Sequence, residues 1–220
     1  KAKSEFLNLC KTSESFKESY PFVANIPVNS AQARDYALEG YLFPDTYEIY
    51  SDESAESIIG RMLTRFGQIM GDEYTARAAE LNMSVDDVIT LASLIEKEAR
   101  HENDFTRVSA VFHLRLDKGM KLQSDAPLKY IFHTSGVLTF TAEQMADTSL
   151  YNTHVYEGLP LGPIANPGRK AIEAALYPDE EYMNEGYLYF CLMDSETGEL
   201  IYAKTLEEHN ANVAKYRPNW

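Results

Sequence analysis

Two glutamates separated by one lysine, Glu96 and Glu98, are the residues of this sequence best suited to acid–base chemistry. They lie near the end of the segment Ser84–Arg100, whose apolar residues recur at helical spacing behind a serine N-cap. At ~100° per residue, Glu96 shares an arc with Ile89 and Ala92, while Glu98 lies about 200° away from Glu96. Burial on that arc would disfavour the charged carboxylate and raise its pKa toward the range of a general acid. The helical wheel therefore predicts that Glu96, and not Glu98, is desolvated and active.

A purely structural role is the alternative for Glu96, because buried glutamates often pair with arginines. Arg107 and Arg115 lie on nearly the same face of the next predicted helix, where either could reach a carboxylate on its neighbour. The two readings of Glu96 stay open on helix geometry alone.

Glycosidic-bond cleavage is one reaction that a buried acid could serve, since it needs a proton donor at the leaving oxygen. A hydrolase normally adds a second carboxylate, for which Asp125 and Glu157 are available. If the substrate supplies its own nucleophile, one carboxylate is enough. The sequence has no G-x-S-x-G, no P-loop and no setting for a cysteine nucleophile, which removes several other enzyme classes.

Composition points to an ordinary globular domain, with 45% hydrophobic and 25% charged residues among 220. The net charge of −14 argues against nucleic-acid binding, which needs clustered lysine and arginine. Five histidines without ligand spacing predict no metal site, and two distant cysteines predict no redox pair. No apolar run approaches the ~18 residues of a membrane span. The abrupt start KAKSEFLNL suggests a chain cut from a longer protein, so an anchor outside this stretch stays possible.

The predicted elements place the helices in the middle of the chain and the strands near its end, which predicts an α+β class. Leu38–Tyr50 is aromatic and broken by a proline, which favours a loop with a short strand. Ser149–Gly168 is too rich in proline and glycine for a helix or strand, and a loop of this length is usually functional. A β-hairpin is expected from Tyr187–Met193 and Leu200–Ala203. The predicted helices span residues 54–70, 72–81, 84–100, 103–118, 171–177 and 205–215, with one or two short helices expected within residues 1–20 and another capped by Ser124 or Asp125.

Six blocks of the sequence carry a resemblance to a known family. They are LEGYLFPDTY, LASLIEKEAR, VFHLRLDKGMKLQSDAPLKY, YNTHVYEGLPLGPIANPG, AIEAALYP and YLYF, and together they span roughly residues 38–190. In order and spacing they resemble the endolytic murein transglycosylases, also called MltG or YceG-like proteins. The resemblance implies that residues 38–220 form a YceG-like catalytic domain and that residues 1–37 end a LysM-like subdomain with its connector.

The resemblance also implies the site residues. Its catalytic glutamate carries over to the first glutamate of the E-K-E triplet, Glu96. Its other blocks imply substrate binding by Gln123, Ser124, Asp125, Tyr151, Asn152 and Thr153. The alternative role of Asn152 is to hold its own loop together. His154 departs from the family pattern, where an aromatic such as tyrosine is expected.

The implied reaction is internal cleavage of nascent peptidoglycan between N-acetylmuramic acid and N-acetylglucosamine, leaving a 1,6-anhydro end, with no metal or organic cofactor. The implied full-length protein is a single-pass membrane protein whose catalytic domain is extracytoplasmic. Its partners would be glycan strands and, as further candidates, cell-wall synthases of the penicillin-binding type. Three alternatives remain: a non-catalytic peptidoglycan-binding module, a module that regulates those synthases, and a hydrolase of the same polymer.

Overall fold

The computed structural model describes residues 2–136 and 139–219, which are mostly helical with one small antiparallel sheet. The α+β class predicted from the sequence is confirmed. The helices are α1 (Ala2–Thr12), α2 (Pro21–Ala24), α3 (Ala55–Glu80), α4 (Val85–Glu98), α5 (Glu102–Asp117), α6 (Ala126–Ile131), α7 (Ala142–Met145), α8 (Arg169–Leu176), α9 (Glu180–Glu185) and α10 (Leu206–Tyr216). The strands are β1 (Tyr189–Leu192) and β2 (Leu200–Ala203), and short 3₁₀ turns cover Glu14–Phe16 and Arg217–Asn219.

Helix α4 is the centre of the fold, and it begins where the sequence predicts. Ser84 accepts a hydrogen bond from the Asp87 N–H at 3.1 Å, and the Asp87 carboxylate accepts the Ser84 N–H at 2.9 Å. This capping box satisfies two of the otherwise unpaired N–H groups of the first turn. Leu91 and Leu94 are as fully buried as Ile89, so α4 is covered on nearly all sides, chiefly by α8 and α5.

Helix α3 and the N-terminal segment cover another side of the core. The predicted break at Gly71 is confirmed, since this residue has φ +41 and interrupts an otherwise continuous helix. Helix α1 packs against α3, and the Leu38 N–H donates to the Cys10 carbonyl at 3.1 Å. Residues 2–37 therefore pack directly onto the rest of the chain.

The short strand predicted within Leu38–Tyr50 is wrong, because the structure has turns and irregular backbone there. The N–H groups of Gly40 and Leu42 both donate to the Asn166 side chain, at 2.8 and 3.1 Å. Tyr41 and Phe43 are buried. The segment thus packs on the core through its aromatic residues, while its backbone binds a distant side chain instead of a neighbouring strand.

The predicted hairpin is confirmed, with β1 and β2 antiparallel and Tyr189 opposite Ala203. Helix α10 packs against both strands. The hairpin turn is attached to the chain just after α4: Arg100 donates to the Ser195 carbonyl at 3.1 Å, and the His101 ring lies 2.9 Å from the Thr197 carbonyl. The end of α4 and the hairpin are therefore held side by side.

Within the described residues, no helix has both the length and the apolar character that crossing a bilayer requires.

Candidate functional site

A groove of about 480 Å³ lies between the end of α4, the start of α6 and the unit formed by the hairpin with α10. Its walls come from parts of the chain that lie as far apart in sequence as Lys97 and Val213. The groove residues that matter for its chemistry are Lys97, Glu98, Ser124, Asp125, Lys129 and His154.

Glu98 is the last residue of α4 and lies at the groove wall. The Ser124 hydroxyl donates a hydrogen bond to its carboxylate. Burial raises the pKa of the Glu98 carboxyl, and the negative charge of Asp125 adds to that effect. The hydrogen bond from Ser124 and the cation of Lys129 act in the opposite direction. The Glu98 side chain is still partly accessible, so its carboxyl can contact a molecule in the groove. Because its pKa is raised, this carboxyl favours the protonated form.

Ser124 is fixed by backbone and side-chain contacts with the loop that contains Thr153. The Ser124 N–H donates to the Thr153 hydroxyl, and that hydroxyl donates to the Ser124 carbonyl, both at 3.1 Å. The Gln123 N–H donates to the Thr153 carbonyl at 3.0 Å, with Gln123 in the left-handed region at φ +52. Because Ser124 is only 4% exposed, its hydroxyl has little freedom other than to face Glu98.

Asp125 lies beside Ser124 in the groove and hydrogen-bonds the His154 ring, whose Nε2 is 3.0 Å from its carboxylate. About half of the Asp125 side chain is exposed, whereas the His154 side chain is largely buried. The residue at which this chain departs from the family pattern therefore contacts a predicted site residue directly.

The three loop residues predicted to bind substrate are buried and do not line the groove. The Asn152 amide donates to the carbonyls of Met145 and Asp147 at 3.1 and 2.8 Å, and it accepts the His154 N–H at 2.9 Å. Of the two roles left open for Asn152, the contacts support the one that holds the loop together. Tyr151 packs its ring against Tyr130, with centroids 5.0 Å apart, and burial raises its pKa to about 12.

The prediction that Glu98 is not desolvated is wrong. Glu96 does not line the groove; its carboxylate instead accepts the N–H of Gly168, the N-cap of α8, at 3.1 Å. Glu98 is desolvated, because the segment around Ser124 closes over the end of α4. A helical wheel describes one helix in isolation, so it carries no information about such a segment.

The arginine pairing considered for Glu96 is not found among the described residues. Arg115 donates to the carbonyls of Lys121, Leu122 and Leu188, at 2.7–3.1 Å. Arg107 lies over the ring of Tyr182, 5.0 Å from its centroid. Both arginines are therefore engaged elsewhere in the described structure, and neither neutralises a glutamate of α4.

Several groove residues were missed by reasoning from the sequence. Lys129 belongs to a short predicted helix with nothing to mark it as functional. Tyr189 and His209 line the groove from the hairpin and α10, with their rings stacked 5.3 Å apart. Burial lowers the pKa of His209, so its ring stays neutral near neutral pH. No signal in the sequence joins these distant residues to the E-K-E triplet.

A metal ion would find no ready ligand set in residues 2–136 and 139–219, where no three His, Cys, Asp or Glu side chains come together. The groove itself offers acid, hydroxyl and ammonium groups.

Comparisons with known proteins agree with this architecture. The model of the YceG-like family matches residues 3–215. A Bacillus subtilis protein named endolytic murein transglycosylase is 39% identical over 184 residues, which are 82% of this chain and 48% of that protein. A Streptococcus pneumoniae protein of the same name is 35% identical over 202 residues, 90% of this chain and 35% of that protein. The chain thus spans about half or less of these relatives.

A solved structure has a similar fold. The crystal structure of a yceG-like protein from Listeria monocytogenes superposes with a TM-score of 0.79 at 34% identity. The match covers 95% of this chain and 66% of that one. Because the family model and the relatives match most of its length, this chain belongs to the YceG-like family.

Proposed function

We propose that this chain is the catalytic part of an endolytic murein transglycosylase. Its substrate would be peptidoglycan, cut between N-acetylmuramic acid and N-acetylglucosamine, with a 1,6-anhydro end as the product. The names of the relatives support this reaction, and the groove beside the end of α4 supports an active site there.

Glu98 takes the role of general acid and base in this proposal, in place of Glu96. The observation that carries it is the desolvated Glu98 carboxyl at the wall of the groove, held by Ser124. The raised pKa favours a proton on Glu98 at the start of the reaction, which a general acid requires.

The proposed reaction has two proton transfers. Protonated Glu98 gives its proton to the glycosidic oxygen as the bond from C1 to that oxygen breaks. The C6 hydroxyl oxygen of the same sugar then bonds to C1, and its proton passes to the Glu98 carboxylate. The enzyme returns to its starting state, and no water is consumed. The Ser124 hydroxyl stabilises the carboxylate between the two steps.

The remaining predicted site residues fall into two groups in this proposal. Gln123, Ser124 and Asp125 face the groove and would contact the glycan or Glu98 directly. The second group would not contact the substrate but would fix the loop that positions Ser124; it consists of Tyr151, Asn152 and Thr153. Neither group calls for a cofactor.

Hydrolysis is the nearest rival, and it would need a second carboxylate to activate water. Asp125 is the carboxylate that shares the groove with Glu98, but its hydrogen bond to His154 favours a supporting role. Mass spectrometry of digested glycan strands separates the reactions. We expect a product lighter by one water, whereas a reducing end would indicate a hydrolase and no product a binding or regulatory module.

We also propose that the full-length protein is a single-pass membrane protein with this domain outside the cytoplasm, next to cell-wall synthases. Residues 1–37 would then close a LysM-like subdomain. The resemblance to the family supports both statements. Fractionation of cells that express the full-length protein, with protease added from outside, tests the location: the domain should be membrane-bound and cleaved from the outside.

A further inference from the structure

The groove carries an excess of positive charge in an acidic protein. The whole chain has a net charge of −14. Among its described residues, the groove is nevertheless lined by Lys97, Arg100, Arg115 and Lys129 against the carboxylates of Glu98 and Asp125. A local charge so unlike that of the whole chain indicates a ligand that carries negative charge.

The two arginines are already engaged by the fold. Arg115 donates to three backbone carbonyls beside the groove, and Arg100 donates to the carbonyl of Ser195 in the hairpin turn. Their positions are explained by the structure itself, and they need no ligand.

The two lysines have no such partner. None of the ion pairs formed within residues 2–136 and 139–219 involves Lys97 or Lys129. Lys97 interacts with Glu39 by charge alone, without an ion-pair contact, and the same holds for Lys129 and Glu98. The other nearby carboxylate, Asp125, is hydrogen-bonded to His154. Both ammonium groups are therefore available to a molecule in the groove.

The free cation of Lys129 works against the acid role of Glu98, since a nearby positive charge favours the ionised carboxylate. An anionic group on the substrate would pair with Lys129 and weaken that effect. Binding would then help Glu98 to keep its proton until the glycosidic oxygen arrives. A neutral sugar could not do this.

We propose that Lys129 and Lys97 bind a carboxylate carried by the glycan substrate. This inference rests on the proposed function, because it names the part of the polymer that the groove recognises. Two sources offer this chemistry: the lactyl carboxylate of a peptide-free muramic acid, and the carboxylates of the peptide attached at that position. Both are carboxylates on the chain that passes through the groove.

Binding measurements on the full chain test the proposal without turnover. Glu98→Gln keeps the oligosaccharide intact, and its Kd is measured by calorimetry for four ligands. These are a peptide-free muramic oligosaccharide with a free or an amidated lactyl group, and a peptide-bearing one with free or amidated peptide carboxylates. We expect amidation to weaken binding about tenfold in at least one pair, as for a charge-assisted hydrogen bond. Equal Kd values within both pairs would overturn the proposal.

Substitutions assign the effect to the lysines. The readout is the Kd of the amidated ligand divided by that of the free ligand, in each pair where amidation weakens binding. In the Glu98→Gln background, Lys129→Met and Lys97→Met should each reduce this ratio. Lys118→Met, at an exposed position outside the groove, should leave it unchanged. A ratio that survives in both groove variants would show that other groups bind the carboxylate. Failure of the proposed function has a different signature, namely no anhydro product from the wild-type chain with any of the four ligands.

Discussion

Glu98 is the residue at which stability and the proposed chemistry oppose each other. Its pKa is raised above the unfolded-state value by burial, so folding favours the protonated form. The contribution of protonated Glu98 to the free energy of unfolding is fully present below the unfolded-state pKa. It is lost as pH rises through the folded-state pKa. Glu98→Gln should therefore raise the Tm near neutral pH, by roughly 2–4 °C if about 1 kcal/mol is recovered. The gain should shrink toward about pH 4, where glutamates protonate in the unfolded chain as well.

Calorimetric melts of wild type and Glu98→Gln at both pH values check this. Glu96→Gln is the matched control, since Glu96 lies outside the groove and bonds the N-cap of α8. A Glu98→Gln variant that melts below wild type at both pH values would contradict the placement of Glu98 in a desolvated position.

The sequence identifies the triplet, and the structure places Glu98, not Glu96, at the groove. Spacing alone correctly predicts that Glu96 and Glu98 point in different directions from α4. It cannot tell which direction ends at the groove, because α4 is buried on nearly all sides. The deciding contact, from Ser124 to Glu98, joins positions 26 residues apart. Of the six residues predicted to bind substrate, three line the groove and three are buried behind its wall.

At the scale of elements, Gly40 packs closely against both α4 and the loop before α8, so a larger residue at this position should destabilise the fold. Gly40 has φ +90, and an added Cβ would lie 2.5 Å from Pro163 Cγ and 2.8 Å from Ile89 Cγ2. Gly40→Ala should therefore lower the free energy of unfolding by about 2–4 kcal/mol, from overpacking together with backbone strain. Urea unfolding followed by circular dichroism measures this change.

Gly119→Ala separates the two causes. Gly119 also has a positive φ, +63, but nothing lies within 4 Å of its would-be Cβ. It should show the backbone effect alone, with a loss of about 1 kcal/mol. Equal losses in the two variants would mean that Pro163 and Ile89 do not crowd Gly40.

The elements themselves follow well from local signals. The capping box at Ser84, the break at Gly71 and the hairpin near Gly198 are each encoded within a few residues, and each is confirmed. The strand expected within Leu38–Tyr50 is wrong because a strand needs a partner for its backbone. That partner is the side chain of Asn166, more than a hundred residues later.

At the scale of the whole molecule, a buried ion pair connects the N-terminal segment to α4. Arg34 donates two hydrogen bonds to Asp86, at 2.9 and 2.6 Å, and the Tyr41 hydroxyl donates a third at 2.6 Å. Both charged side chains are at most 10% exposed. Asp86→Ala would leave Arg34 buried without its partner, so we expect a loss of about 3–5 kcal/mol. Chemical unfolding measures it, with Asp52→Ala at an exposed position as the control; a loss below about 1 kcal/mol would contradict this role.

The groove is a property of the whole molecule, and this is why the sequence could not predict it in full. Its walls combine the end of α4 with Tyr189 of the hairpin and His209 of α10, about a hundred residues later. Arg100 and His101 bring these parts together through backbone carbonyls of the hairpin turn. Such contacts use groups that every residue has, and they leave no pattern in the sequence.

The central claim is that Glu98, and not Glu96, is the acid and base of the reaction. The most direct test is the yield of anhydro-ended product from purified glycan strands with Glu98→Gln and Glu96→Gln, both checked for folding by circular dichroism. We predict that Glu98→Gln reduces the yield by at least about 10²-fold, as for loss of a general acid–base. Glu96→Gln should retain activity within a few fold of wild type. Near wild-type yield from folded Glu98→Gln, with activity lost in Glu96→Gln, would contradict the claim.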